Sequence, residues 1–361
     1  MLRSAAGLLI PLFLISACSS PDSQSSVHAS GLPNSPAEGM EGQAAPFPVL
    51  SGPYLGQPPA VWEPTLFAPG VVSTGLGVRD VAMTPDGDEL YWGVTGANYV
   101  WSTILMSRRV DGVWTEPRVA SCCRSRDALH LEPHISPDGM HFFWLSTLAG
   151  PGAHNGGQEI WVMDREGDDW GDPYPLPEII NTAGSEYFPS TTRDGTLYFT
   201  RSPAGGGENR IWRSRRVEGI YQEPELLPEQ VNCGRNRFNA FVDPDEGFLI
   251  LGVGGMPDTQ GGTDYYIVFR NELDQWSDPV NLGPRVNTAG SLEYSAFVSP
   301  DGDFLFFMSQ RPDWNALAPG GSFDAAALRA AAGNPENGNM DIYWMRADFL
   351  EGLRPEGFGG E

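Results

Sequence analysis

Residues 130–134 read His130-Leu131-Glu132-Pro133-His134. Alternate side chains of a β-strand share a face, so His130, Glu132 and His134 together present two imidazoles and a carboxylate, a set able to hold a divalent metal. Cys122 and Cys123 lie just upstream, and Cys233 lies further along the chain. Three readings of these cysteines stand open: a disulfide from Cys233 to Cys122 or Cys123, a vicinal Cys122–Cys123 bridge, or metal ligation. A second chemistry is glycan cleavage by paired carboxylates, which needs two carboxyl groups roughly 5 to 10 Å apart. Glu132, Glu186 and Glu293 are the candidates, with His130 as base and Arg237 as charge neutraliser. Glu186 and Glu293 stand at the same place in two repeats, just after an Asn-Thr-Ala-Gly-Ser run, and such recurrence favours a structural role. No organic cofactor is expected, and a divalent metal at His130, Glu132 and His134 is the one cofactor the residues allow.

These side chains need a frame, and the frame is repetitive. An acidic turn followed by an apolar strand occurs five times, at Pro85-Asp86-Gly87, Pro137-Asp138-Gly139, Arg193-Asp194-Gly195, Pro244-Asp245-Glu246-Gly247 and Pro300-Asp301-Gly302. The aspartates are 52, 56, 51 and 56 residues apart, a period suited to four short strands per unit. Each unit continues through a Gly-rich stretch into a third strand, such as Ile160-Trp161-Val162. Most then reach an acidic-Gly hairpin turn and a fourth strand marked aromatic-x-x-Pro, as from Trp114 to Pro117. The fifth unit lacks a good copy of that mark, but Trp62-Glu63-Pro64 supplies one at the other end. The arrangement predicts an all-β fold, a single β-propeller of four-stranded blades whose N-terminal strand closes the last blade. Five blades are favoured, with six, built partly from residues 46–80, as the alternative.

In such a blade the Pro-Asp-Gly turns and the acidic-Gly turns share one face, which is short-looped. The opposite face receives long, irregular loops, among them 310–340, which carries a short helix starting at Ser322-Phe323-Asp324 and stopping at Gly333. Eight residues before each turn aspartate sit Val78, His130, Glu186, Arg237 and Glu293; six before sit Asp80, Glu132, Phe188, Asn239 and Ser295. These positions are expected to ring the channel mouth, making Asp80, His130, Glu132, Glu186, Arg237 and Glu293 the candidate ligand-binding set. The turn aspartates and the Trp and Tyr series are assigned to architecture.

The Pro-Asp-Gly-x-x-Leu-Tyr-Phe strand, the Gly-Gly-x-Asp-Ile-Tyr/Trp strand, the Gly-x-Trp-x-x-Pro ending and the Asn-Thr link at Asn181-Thr182 and Asn287-Thr288 resemble TolB-type WD-like propeller repeats. The resemblance spans the repeat region and implies the fold. For function it implies only a range, from periplasmic partner-binding propellers to peptidase-capping domains and a few polysaccharide lyases.

The chain's beginning bears on location. Arg3, an apolar run from Leu8 to Ile15, and Ile15-Ser16-Ala17-Cys18 resemble a bacterial lipoprotein signal, which implies cleavage after residue 17 and acylation of Cys18. Residues 1–17 are therefore expected to be a signal peptide, 18–60 a Ser/Pro/Gly-rich tether and 61–357 the propeller. The expected setting is a bacterial envelope lipoprotein, facing the periplasm or the cell surface. With 46 acidic residues against 22 basic ones, all arginine, the net charge of −24 argues against a nucleic-acid partner. The missing lysine also removes P-loop, Schiff-base and kinase chemistries. A monomeric, membrane-tethered propeller binding an envelope protein or a glycan is expected, with glycan hydrolase or lyase activity as the alternative.

Overall fold

A computed structural model describes residues 46–154 and 157–358; Cys18 and the expected signal lie outside the described residues. Five antiparallel sheets follow one another around a ring, so the chain forms a five-bladed β-propeller, not a six-bladed one. From the axis outwards, the first blade runs Gly77–Met83, Glu89–Thr95, Ser102–Val110 and Arg118–Val119. The second blade starts at His130–Ile135, the third at Ser185–Thr191, the fourth at Asn236–Val242 and the fifth at Tyr294–Val298. Blade five is completed by the chain's beginning, with Thr65–Leu66 pairing antiparallel to Asp341–Arg346 as expected.

The aromatic-x-x-Pro mark differs from its expected role as the fourth strand. Trp114 belongs to a tight return hairpin on Arg109–Val110, and the outer strand, Arg118–Val119, begins only after Pro117. Proline cannot donate to the ladder, so it breaks the returning chain into a hairpin and a separate outer strand. Blades two and three repeat this break.

Apolar side chains of neighbouring blades meet in the seams. Trp92, Trp144, Tyr198, Tyr265 and Phe307 are all buried there. Asn181, Asn232 and Asn287 fasten the links between blades. Asn232 accepts from Ile211 N and donates to Ile211 O and Leu227 O, so its side chain substitutes for a strand residue at the sheet's outer edge. Four turn aspartates accept a Ser or Thr hydroxyl and an amide through one oxygen, as Asp138 does from Ser136 and Met140 N. In blade four Asp243 accepts the turn amide, from Gly247 N, and Asp245 pairs with Arg193 instead.

The expected tether is shorter than 18–60 on its structured side. Leu55 is buried, and Tyr54 packs against Phe304 and Trp344 while donating to Asp301 Oδ2 at 2.6 Å. Ser51 bridges to Val113. The described chain thus enters on the short-turn face. The helix in the 310–340 loop spans Ala325–Ala331 and is capped by Asp324, which accepts from Ala326 N, and not by Ser322.

Candidate functional site

Each innermost strand is interrupted at the same point. The residue six before the turn aspartate has a left-handed backbone in every blade: Asp80 (φ 56°), Glu132 (59°), Phe188 (52°), Asn239 (53°) and Ser295 (68°). The pairing register shifts there in all five strands. A bulge of this kind turns two successive side chains toward the same side and breaks the two-residue alternation. Arg79 and Asp80 show the effect directly, since as neighbours they hydrogen-bond to one another at 2.8 and 3.0 Å.

The result is a charged plug across the axis. Arg79 donates to Glu132 Oε1 at 2.6 Å, to Ser295 Oγ at 3.3 Å and to Tyr99 Oη at 3.2 Å. Asn239 donates to Glu132 Oε1 at 3.2 Å and to Ser295 Oγ at 2.9 Å, while Glu132 Oε2 accepts from Phe188 N at 2.7 Å. Glu132 N in turn donates to Asp80 Oδ2. On the loop side Tyr99 and Tyr294 share a hydrogen bond of 2.7 Å, and the Arg79 guanidinium lies 4.8 Å over the Tyr294 ring. Arg79, Asp80 and Glu132 are at most 5% exposed. Burial pushes the Glu132 carboxyl up, against the pull of Arg79. On the short-turn side of the plug a narrow cleft is lined by Pro133, Phe188, Phe241 and Phe297.

The plug gathers Asp80 and Glu132 from the expected set and leaves the others elsewhere. Glu186 is fully buried and accepts from Thr182 N, Thr182 Oγ1 and Arg201 Nε; Glu293 is equally buried and accepts from Thr288 N and Oγ1 and from Ser309 Oγ. Arg237 occupies the same repeat position with reversed polarity, donating to the carbonyls of Cys233, Gly234 and Asn209 and to Glu208. Glu186, Glu293 and Arg237 therefore fasten their own blade links and do not ring the channel mouth. Strict alternation sends Arg79 and Tyr294, the residues before the bulge, the wrong way, and Tyr99 stands in the Ala97–Tyr99 loop turn outside the repeat pattern. Arg79, the one cation among Arg79, Leu131, Tyr187, Phe238 and Tyr294 at that repeat position, was the available signal.

The expected metal set is likewise dispersed by the bulge. His130 Nδ1 lies 3.1 Å from Ser146 Oγ, His134 Nε2 accepts from Thr191 N at 2.9 Å, and Glu132 turns to the axis. Among the described residues no three or more His, Cys, Asp or Glu side chains converge as a metal site requires. Both imidazoles are held neutral: burial lowers His130 to about 4 and His134 to about 3. An unfolded imidazole protonates near 6.5, so the unfolded chain binds protons that these folded sites refuse as pH falls from 6.5 toward 4. Buried carboxyls such as Asp341, raised by burial to about 7, act in the opposite sense, so the effect is read as a difference. The stability advantage of wild type over His130→Gln should shrink by about 1.4 kcal/mol per pH unit across that window. Denaturant titrations at several pH values measure it, and a pH-independent difference would mean an imidazole that titrates normally.

The cysteines also correct an expectation. Cys122 and Cys123 are bonded to each other, and Cys233 is a free thiol, so the Cys233 disulfide is not formed. The two loci lie in the links into blades two and four, with blades two and three between them, whereas a bridge needs Cα atoms within about 7 Å. Cys233 instead packs against the apolar seam of blade four, where burial pushes its thiol up to about 11. Denatured, unreduced protein lacking residues 1–46 should show one reactive thiol and reduced protein three; three before reduction would refute the vicinal pair.

Leu76, Val100, Trp101, Trp314, Phe323 and Leu328 are among the large apolar residues that stand exposed on the loop-rich face. Trp314 and Phe323 lie 6.4 Å apart between ring centroids. Asn337 and Asn339 tie this loop to Gly75 at the entry of blade one.

No model of a known protein family matches the chain, and no curated protein matches it. Solved structures similar to it include TolB from Acinetobacter baumannii, at 12% identity and a TM-score of 0.40 over 75% of this chain and 57% of that one. A thermostable family-43 glycoside hydrolase is similar at 13% identity and a TM-score of 0.47, over 76% and 89% of the two chains. The α-L-arabinofuranosidase PaAbf62A from Podospora anserina is similar at 11% identity and a TM-score of 0.43, over 80% and 97%. At such distance the similarities carry no statement about chemistry.

Proposed function

We propose that the protein is a lipid-anchored envelope propeller of the TolB-like kind that binds an envelope protein or a glycan without catalysis, through its loop-rich face. One observation carries this reading: Glu132, Glu186 and Glu293, the carboxylates expected to serve glycan cleavage, are each buried and hydrogen-bonded within the protein. Glu186 and Glu293 hold their own blade links, and Glu132 is paired with Arg79 beneath the tyrosine pair. The exposed aromatic side chains lie instead on the irregular loops, where a rigid frame presents them to a partner. The propeller acts as a monomer and binds no nucleic acid.

Two experiments test the proposal. Cys18→Ser should move the protein from the membrane fraction to the soluble fraction, and a variant that stays membrane-bound would refute the anchor. Immobilised wild type, but not a Trp101→Ala/Trp314→Ala/Phe323→Ala variant, should retain a component of envelope extract or of purified envelope polysaccharide. Polysaccharide cleavage that Glu132→Gln abolishes would replace this reading with the enzyme reading, which the raised Glu132 carboxyl beside Asp80 favours.

A further inference from the structure

The seam between blades two and three opens on the short-turn face into a cavity of about 100 Å³, lined by Asp138, His141, Thr191, Asp194, Arg216 and Tyr221 among others. The preceding seam shows what this architecture ordinarily holds. There Glu89, three residues after the turn aspartate, is buried, and Arg165 donates to both its oxygens at 3.0 and 2.9 Å. Tyr91 donates to the same carboxylate at 2.8 Å, Trp170 donates to Tyr91, and the Arg165 guanidinium lies 4.6 Å over the Trp170 ring.

One blade further the same parts recur around a missing carboxylate. Arg216 is held as Arg165 is, its Nε donating to the carbonyl of an acidic-Gly turn and its guanidinium lying over the aromatic of the return hairpin, Tyr221, at 5.6 Å. The position of Glu89 is taken by His141, and Phe143 stands where Tyr91 brings its hydroxyl. Arg216 Nη1 lies 2.9 Å from His141 Nε2, and His141 Nδ1 lies 2.8 Å from Asp164 Oδ1. Among the described residues the second terminal amino group of Arg216 donates to no protein acceptor, and no carboxylate pairs with this guanidinium. Arg193 also lines the cavity, but its fork is spent on Asp245 at 2.9 and 3.1 Å. Asp138 and Asp194 each use one oxygen within their own turn, which leaves the other free to accept.

We infer that this seam binds a uronic acid, a sugar whose carboxylate gives the second terminal amino group of Arg216 the acceptor that Glu89 gives Arg165 one blade earlier. The carboxylate pairs with the open side of the Arg216 fork, and the ring hydroxyls donate to the free oxygens of Asp138 and Asp194. A neutral sugar lacks the first interaction and a simple carboxylate lacks the second. The site lies on the face opposite the exposed aromatic loops and does not depend on their role.

The test is saturation-transfer NMR and calorimetry of the detergent-solubilised full chain with D-glucuronate, D-glucose and acetate. Glucuronate should bind saturably, with glucose and acetate each at least about tenfold weaker. Arg216→Gln should weaken glucuronate about tenfold or more. His141→Glu should abolish binding while raising the melting temperature, because it supplies Arg216 with its own carboxylate and needs no change of fold. No binding of glucuronate would overturn the inference, as would unchanged binding to Arg216→Gln and His141→Glu. Acetate or glucose binding as tightly as glucuronate would overturn the assignment to a uronic acid.

Discussion

Replacing Arg79 by methionine is expected to cost about 3 to 5 kcal/mol of stability, the range seen when one partner of a buried ion pair is removed. Methionine has nearly the same reach, so packing is kept while the charge is lost. Asp80 would then keep only the Glu132 amide near its carboxylate, and Glu132 only Asn239 and the Phe188 amide, both groups being almost wholly out of water. Against a total of about 5 to 15 kcal/mol for a domain, such a loss leaves a chain near its unfolding threshold. Adding Asp80→Asn to Arg79→Met should restore part of the loss, because it removes an unpaired buried charge. Denaturant unfolding measures both variants. A single substitution costing under about 1 kcal/mol would mean that water reaches the axis.

Truncating Phe67 to alanine is the second large effect. Phe67 sits just past the closing strand, its amide donating to Ile342 O at 2.8 Å and its ring meeting Phe306 and Trp344 edge-on at 5.0 and 5.2 Å. It is fully buried, and emptying such a site costs about 3 to 5 kcal/mol. The position makes the cost worse than its volume implies. The closing strand pairs over Thr65↔Trp344 and Leu66↔Tyr343, with Phe67 N to Ile342 O and Arg346 N to Val61 O flanking them, so the aromatic packing supplements a short ladder. A weakened closure exposes the edge of Asp341–Arg346, a template for pairing with another chain. Phe67→Ala should therefore lower the denaturation midpoint and produce higher oligomers on gel filtration. Phe323→Ala, at an exposed site, should shift stability by under about 0.5 kcal/mol. Equal midpoints for the two variants would refute this account of closure.

The architecture was legible because its signals are local and repeated. Asp-Gly turns, alternating aromatic strands and the stray Trp62-Glu63-Pro64 mark each report on a few neighbouring residues, and they agree. The site was not legible to the same degree, because its geometry turns on one backbone angle per blade that no residue type announces. Asp80, Glu132, Phe188, Asn239 and Ser295 share no side-chain chemistry, yet all adopt the left-handed conformation. Counting by twos across that point assigned Glu186, Glu293 and Arg237 to the channel and overlooked Arg79. The cysteines failed for a different reason: a pairing depends on which links face one another across the ring, and sequence spacing does not encode that.

The bulge has a consequence for how such a channel can change. A left-handed L-residue costs about 1 to 2 kcal/mol that glycine would avoid, yet none of the five positions holds glycine. Each side chain there must return more to the axis than its backbone strain takes away. The five positions behave as sockets of common shape: blades, turns and seams fix where each side chain points, while its chemistry stays open to substitution. Descendants of this sequence could therefore exchange a plug for a pore, or a pore for a binding pocket, through substitutions at these five sockets and the residues just before them, with the surrounding ring unaltered.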